Sequence, residues 1–122
     1  MTAENFSFPT RIRLGKPAEY KRVFAKPVKS TDRFFTLLAI KNNIDYPRLG
    51  LAIAKKSIRK AVTRNVIKRT VRENFRLQQH LLVNIDVVVL ARRDAANAST
   101  STLRKSLDKH WLKLNKQCES YS

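Results

Sequence analysis

At 122 residues and 43% apolar composition, the chain is long enough for one modest core that needs no disulfide or metal staple. Its 26 basic against nine acidic residues leave a net charge of +17, far more than solubility asks, so a polyanionic partner is expected. The single cysteine, Cys118, excludes an intrachain disulfide, no stretch approaches the ~18 apolar residues of a membrane span, and Met1 to Pro9 has no signal-like charged and apolar regions, so a soluble cytoplasmic protein with no membrane role is expected.

In chain order, Pro17 opens a short helix at its first-turn position, Tyr20, Val23 and Phe24 give that helix an aromatic face, and Pro27 ends it. Phe34 to Ile40 and Arg48 to Ala54 read as a strand pair across the turn signals between Lys41 and Pro47. In the second of these, Leu49, Leu51 and Ile53 share one face, while Gly50, Ala52 and Ala54 share the other and leave room for a close approach. A helix then runs from Ala61 toward Gln79. Asp86 to Ala91, with its Val-Val-Val-Leu centre, reads as a central strand. The small-residue and Ser/Thr linker from Ala95 to Thr102 can cap a last helix, which carries Leu103, Leu107, Trp111, Leu114 and Cys118 as a buried stripe and Lys105, Lys109, Lys113 and Lys116 outward. The expectation is one α+β domain over 1–122, an α/β sandwich with one βαβ crossover, whose ends at 1–15 and 119–122 are flexible.

The segment from Lys55 to Arg76 carries nine Lys or Arg residues and a single acid in 22 positions. Wound at 100° per residue, Arg64, Asn65, Lys68, Arg69, Arg72 and Arg76 fall within an arc of about 140°. Val62, Thr63, Val66, Ile67, Thr70, Val71, Phe75 and Leu77 are assigned to the opposite face, with Glu73 near its middle, to dock on the sheet. A charged helix face is ordinarily solvated surface. Here it is almost purely positive, and like charges at i,i+4 oppose one another by a few tenths of a kcal/mol per pair, so an outside anion is needed to explain it. With basic residues spread over the rest of the chain as well, a large folded RNA suits the surface best.

Protein-based catalysis finds few parts. The acids are scattered, His80 and His110 have no ligand spacing and read as ordinary surface or helix residues, and the only glycines, Gly15 and Gly50, exclude a glycine-rich phosphate loop. A DNA-binding helix-turn-helix needs a helix just before Ala61, where the residues read as strand, so no DNA partner is expected.

The run Arg48-Leu49-Gly50-Leu51, Lys55-Lys56, Ala61-Val62, Arg64-Asn65-x-x-Lys68-Arg69-x-x-Arg72-Glu73-x-Phe75 resembles the arginine-asparagine-arginine signature of the protein subunit of bacterial ribonuclease P. The likeness extends over nearly the whole chain, through Phe8-Pro9, Arg13-Leu14, Tyr20, Phe24, Phe35, Val87-Val88-Val89, Arg92-Arg93 and the Leu103, Leu107, Trp111 stripe. The chain departs at Ser57-Ile58-Arg59-Lys60, where some relatives have a shorter Gly-containing link, at Pro27, where many carry Gly, and at Leu38, where some carry an aromatic. The resemblance implies a mixed sheet of about four strands with about three helices and a left-handed βαβ crossover. It implies a cofactor of a catalytic RNA that removes the 5′ leader of precursor tRNA by hydrolysing one phosphodiester, with Mg²⁺ held mainly by that RNA. It also implies roles: Lys55, Lys56, Arg64, Asn65, Lys68, Arg69, Arg72 and Arg76 on the ribonuclease P RNA, and Tyr20, Phe24, Phe35, Arg92 and Arg93 on the leader, with no catalytic or metal-binding residue in the protein. Asn65 is expected either to bond RNA or to brace the loop before its helix. The rival reading is a structural RNA-binding module such as a ribosomal protein or assembly factor.

Overall fold

The structure, a computed structural model, describes residues 12–119; Phe8, Pro9 and most of the terminal segments expected to be flexible lie outside the described residues. Helix α1 is Pro17–Ala25, followed by strands β1 (Val28–Thr31), β2 (Phe35–Lys41) and β3 (Arg48–Ala52). Helix α2 (Ala61–Gln78), strand β4 (Ile85–Ala91) and helix α3 (Thr100–Glu119) complete the set, with short 3-10 helices at Gln79–Leu81 and Arg93–Asn97. Pro17 sets the first turn of α1, the Glu19 carboxylate accepts the N–H groups of Gly15 and Lys16 at 2.9 and 3.0 Å, and Pro27 stops the helix.

The sheet order is β1-β2-β4-β3, antiparallel except for the parallel β3–β4 pair that α2 connects. The expected pairing of β2 with β3 does not form, because β4 lies between them. Ile85 to Val89 are buried throughout, and a strand with no solvent face takes a central position with covered neighbours on both sides. Strand β1, reading Val-Lys-Ser-Thr, carries no strand signal of its own. It is brought back onto β2 by the turn at Asp32, whose Oδ1 accepts the N–H groups of Phe34 and Phe35 at 2.8 and 2.9 Å. Within the segment expected to be flexible, Ile12 and Leu14 are buried, and Leu14 N–H donates to Leu49 O at 2.9 Å along the outer edge of β3.

Strand alternation sorts the core into two parts. Phe35, Leu37, Ala39, Leu49, Ile85, Val87 and Val89 pack with Ile67, Val71 and Phe75 of α2 and the whole expected α3 stripe. On the other face Leu38 and Val88 pack with Val23 of α1 and Leu14, edged by Tyr20, Ile40, Ala52 and Leu90. The buried face of α2 is Ile67, Thr70, Val71, Asn74 and Phe75. Val62, Glu73 and Leu77, assigned by spacing to the docking face, are exposed. The docking surface is rotated because α2 leans on α3 as well as on the sheet. Trp111 Nε1 donates to Asn74 Oδ1 at 2.5 Å, Asn74 Nδ2 donates to Asp108 at 3.2 Å, and the Phe75 and Trp111 rings meet edge to face at 5.7 Å.

Candidate nucleic-acid interface

The rotation of α2 decides how its cations are presented. Arg69 and Asn65 stand exposed, while Lys68, Arg72 and Arg76 lie half-buried along the flank of the helix. No salt bridge among the described residues engages Lys68, Arg69, Arg72 or Arg76, and Lys55 and Lys56 are likewise exposed without an acidic partner. Arg64 differs: its Nη1 donates to the carbonyls of Ile58 and Arg59 at 2.9 and 2.8 Å. It braces the loop before the helix, the role for which Asn65 was one candidate, and keeps Nε and Nη2 for an outside anion.

The α1 face of the sheet is laid out in cross-strand rows. In the first, Arg48, Asp86 and Ile40 lie side by side, and Asp86, 0% exposed, accepts hydrogen bonds from Arg48 Nε and Nη2, Asn42 Nδ2 and Arg22 Nη2 at 2.8 to 2.9 Å. Arg48 Nη1 reaches Glu19 at 2.9 Å, so both Arg22 and Glu19 fasten α1 to this row. Burial pushes the Asp86 carboxyl up, but Arg48, Asn42 and Arg22 outweigh it and hold the group below the usual carboxylate range. The Lys16 and Gly15 N–H groups, with Arg48, lower Glu19 as well. Sequence reading missed this cluster, since residues 19, 22, 42, 48 and 86 have no spacing in common; an acid opening an otherwise apolar central strand was the one available signal.

The second row, Gly50, Val88 and Leu38, lies beneath α1. A Cβ built on Gly50 would stand 2.9 Å from two ring carbons and the hydroxyl oxygen of Tyr20, so the close approach expected over the small-residue face is made by Tyr20 itself. Leu51 N–H donates to the Tyr20 hydroxyl oxygen at 3.2 Å and fixes the ring further. Leu38, 7% exposed, is core here. The third row, Ala52, Leu90 and Thr36, is only half-buried. Phe24 stands 46% exposed on α1, and Arg92, at the end of β4, donates from Nη1 to Asp32 O at 2.8 Å.

Two leader residues expected from the resemblance are not on this face. Phe35 is 0% exposed and belongs to the core under α2 and α3, since its parity is that of Leu37 and Ala39. Arg93 opens the 3-10 helix after β4 and lines a cavity with Lys56, Arg59, Lys60 and Thr63, on the α2 side of the sheet. Adjacent positions leaving a strand face opposite ways, which separates Arg93 from Arg92.

The two surfaces meet around the β3 edge. A pocket of about 120 Å³ is lined by Arg13, Leu14, Tyr20, Leu49, Leu51, Lys68 and Arg72, which places the aromatic platform of α1 beside the cations of α2. A third polar cluster ties α3 to β1: Ser30 Oγ and His110 Nδ1 are 2.6 Å apart, and Ser106 Oγ donates to Asp32 at 2.5 Å. His110 Nε2 lies 3.1 Å from the same carboxylate, off the line of a hydrogen bond. His110 is 4% exposed, so it is an internal strut and not a surface residue. Burial would raise Asp32, but Ser106, the Phe35 and Phe34 N–H groups and His110 bring it down to about 2. Burial pushes the Cys118 thiol up, consistent with an inert side chain. Among the described residues, no three His, Cys, Asp or Glu side chains come together to hold a metal ion.

Comparison with known proteins identifies the family. The ribonuclease P family model matches residues 8–115. The ribonuclease P protein component of Methylococcus capsulatus is 46% identical over 119 residues, covering 98% of this chain and 93% of the relative. That of Pseudoalteromonas translucida is 45% identical, covering 95% and 83%. Among solved structures, a Staphylococcus aureus RNase P protein mutant with defective mRNA degradation activity superposes with a TM-score of 0.79 at 36% identity, covering 87% of this chain and 89% of the other.

Proposed function

Because the chain belongs to the ribonuclease P protein family and so is a protein cofactor in tRNA 5′ processing, we propose that its two surfaces divide the RNAs of that reaction between them. The α2 cations Lys68, Arg69, Arg72 and Arg76, with Arg64, Asn65, Lys55 and Lys56, bind the backbone of the catalytic RNA. Arginine forks match paired phosphate oxygens, and each neutralised phosphate releases counterions. The α1 face takes the single-stranded 5′ leader of precursor tRNA. Phe24 offers an exposed ring and Tyr20 a fixed one, the row Ala52, Leu90 and Thr36 forms the floor, and Arg92 steadies the leader's phosphates. Base stacking on such rings contributes roughly 1 to 3 kcal/mol each.

The observation that supports this reading best is the pocket joining Tyr20 to Lys68 and Arg72: a strand leaving the α1 face arrives at the cations of α2 without crossing acidic surface. The Mg²⁺ ions and the bond-breaking groups belong to the RNA, in the cytoplasm where precursor tRNA is made. Cleavage of a leader-bearing precursor tRNA by the chain, with and without the catalytic RNA, tests the proposal. Cleavage is expected only with the RNA, and the protein is expected to raise affinity for leader-bearing substrate over a leaderless tRNA. Copurification of ribosomal RNA alone, with no effect on cleavage, points to the structural module instead.

A further inference from the structure

The link between β3 and α2 reads Ser57-Ile58-Arg59-Lys60 and is held rigidly. Ile58 is 1% exposed, and Arg64 Nη1 bonds the carbonyls of Ile58 and Arg59. Above this link lies a cavity of about 480 Å³, to which Lys56 just before the link, Arg59 and Lys60 within it and Thr63 of α2 contribute, while the 3-10 helix after β4 contributes Arg93. Four cations from two separate segments thus face one space with no acid among its lining residues. The nearby Asp94 is turned to Arg33 at 3.0 Å. Four like charges around one cavity repel one another unless an anion enters, and a volume of this size admits a phosphate with its sugar. The space is on the α2 side of the sheet, so a leader lying on the α1 face does not reach it.

We infer that this cavity is a second, separate seat for the phosphodiester backbone of the catalytic RNA, formed by Lys56, Arg59, Lys60 and Arg93, and that Arg64 is the positioning residue that holds its link in shape. The inference rests on the assignment of α2 to the catalytic RNA. It moves Arg93 from the leader to that RNA and makes Arg59 and Lys60, outside the arginine-asparagine signature, contact residues.

The test is binding of the full chain to the catalytic RNA over a salt series. Arg59→Gln/Lys60→Gln and Arg93→Gln are compared with wild type and with the α2 variant Arg69→Gln/Arg72→Gln. Because the log–log salt slope falls by about 1 for each phosphate left without its cation, a drop of about 2 is expected for Arg59→Gln/Lys60→Gln and about 1 for Arg93→Gln. Affinity should fall about tenfold or more in the double variant, and the preference of the reconstituted holoenzyme for leader-bearing over leaderless substrate should stay unchanged. Arg59, Lys60 and Arg93 are exposed, so folding, checked by circular dichroism, should be intact. An unaltered slope in both cavity variants beside a reduced one in the α2 variant overturns the cavity and leaves the functional reading standing. Unaltered slopes in all three overturn both. Loss of leader preference with catalytic-RNA affinity intact assigns the cavity to the substrate and overturns the inference as well.

Discussion

The two faces of the sheet are finished differently. Under α2 and α3 the core is closed: Phe35, Leu37, Val87 and Val89 are at most 1% exposed, and α2 presents its cations on the outside of a rigid body. Over the other face a nine-residue helix covers two cross-strand rows and leaves the third, Ala52, Leu90 and Thr36, half open. A closed layer suits a surface that meets a preformed folded RNA by charge and shape. A partly covered face suits a flexible strand that must be laid into place. The Asp86 cluster links the two designs, because it fixes how far α1 stands from the open row.

The largest expected effect comes from breaking that cluster. Asp86→Ala leaves the largely covered Arg48 with Glu19 alone and the exposed Arg22 without an acceptor, and because Arg48 keeps one partner the cost is expected toward the lower end of the about 3 to 5 kcal/mol typical of breaking a buried pair. Urea denaturation should show a loss of that order, with the α1 face affected first in hydrogen exchange. Next, Lys68→Glu/Arg72→Glu should weaken binding of the catalytic RNA about a hundredfold or more by removing two cations from its phosphates and adding repulsion. Stability should stay close to wild type, because both side chains are on the helix flank. Unchanged binding there would mean that α2 points its charge elsewhere.

Gly50→Ala sharpens the contrast on the α1 side. The added methyl meets the Tyr20 ring at 2.9 Å, so the ring or the helix must shift. A stability loss of about 1 to 3 kcal/mol is expected, together with weaker leader-dependent substrate binding and unchanged affinity for the catalytic RNA. The smallest effect is on pH dependence. The Asp32 carboxyl is lowered from its ordinary 3.8 to about 2, so its stabilisation is present above about pH 3.8 and is lost as pH falls through about 2. Thermal melts should show the wild type losing stability across that window and Asp32→Asn losing less. Equal losses would assign the acid sensitivity to Asp86 and Glu19, which are lowered in the same direction.

Much of this was legible in the chain because periodicity and charge are local. The α3 stripe of Leu103, Leu107, Trp111, Leu114 and Cys118 is buried as its spacing predicts, and α1 and α2 begin where Pro17 and Ala61 place them. The family signature added the partner. What spacing does not carry is which elements become neighbours. It paired β2 with β3, although the doubly buried β4 takes the place between them. The resemblance put Phe35 on the leader, whereas strand parity turns that ring into the opposite core. It placed Val62 and Leu77 inside, although the packing of α2 on α3 leaves them out. The Asp86 cluster was invisible for the same reason, since its members meet only in three dimensions.

The division of labour between the faces is tested most directly by tethering a hydroxyl-radical source to a cysteine placed at Arg69 or at Phe24 in the reconstituted holoenzyme with bound precursor tRNA. Native Cys118 is 1% exposed and shielded from the reagent. The probe at position 69 should cut the catalytic RNA and spare the leader, and the probe at position 24 should cut the leader. Cuts in the leader from position 69, or in the catalytic RNA alone from position 24, would contradict the account.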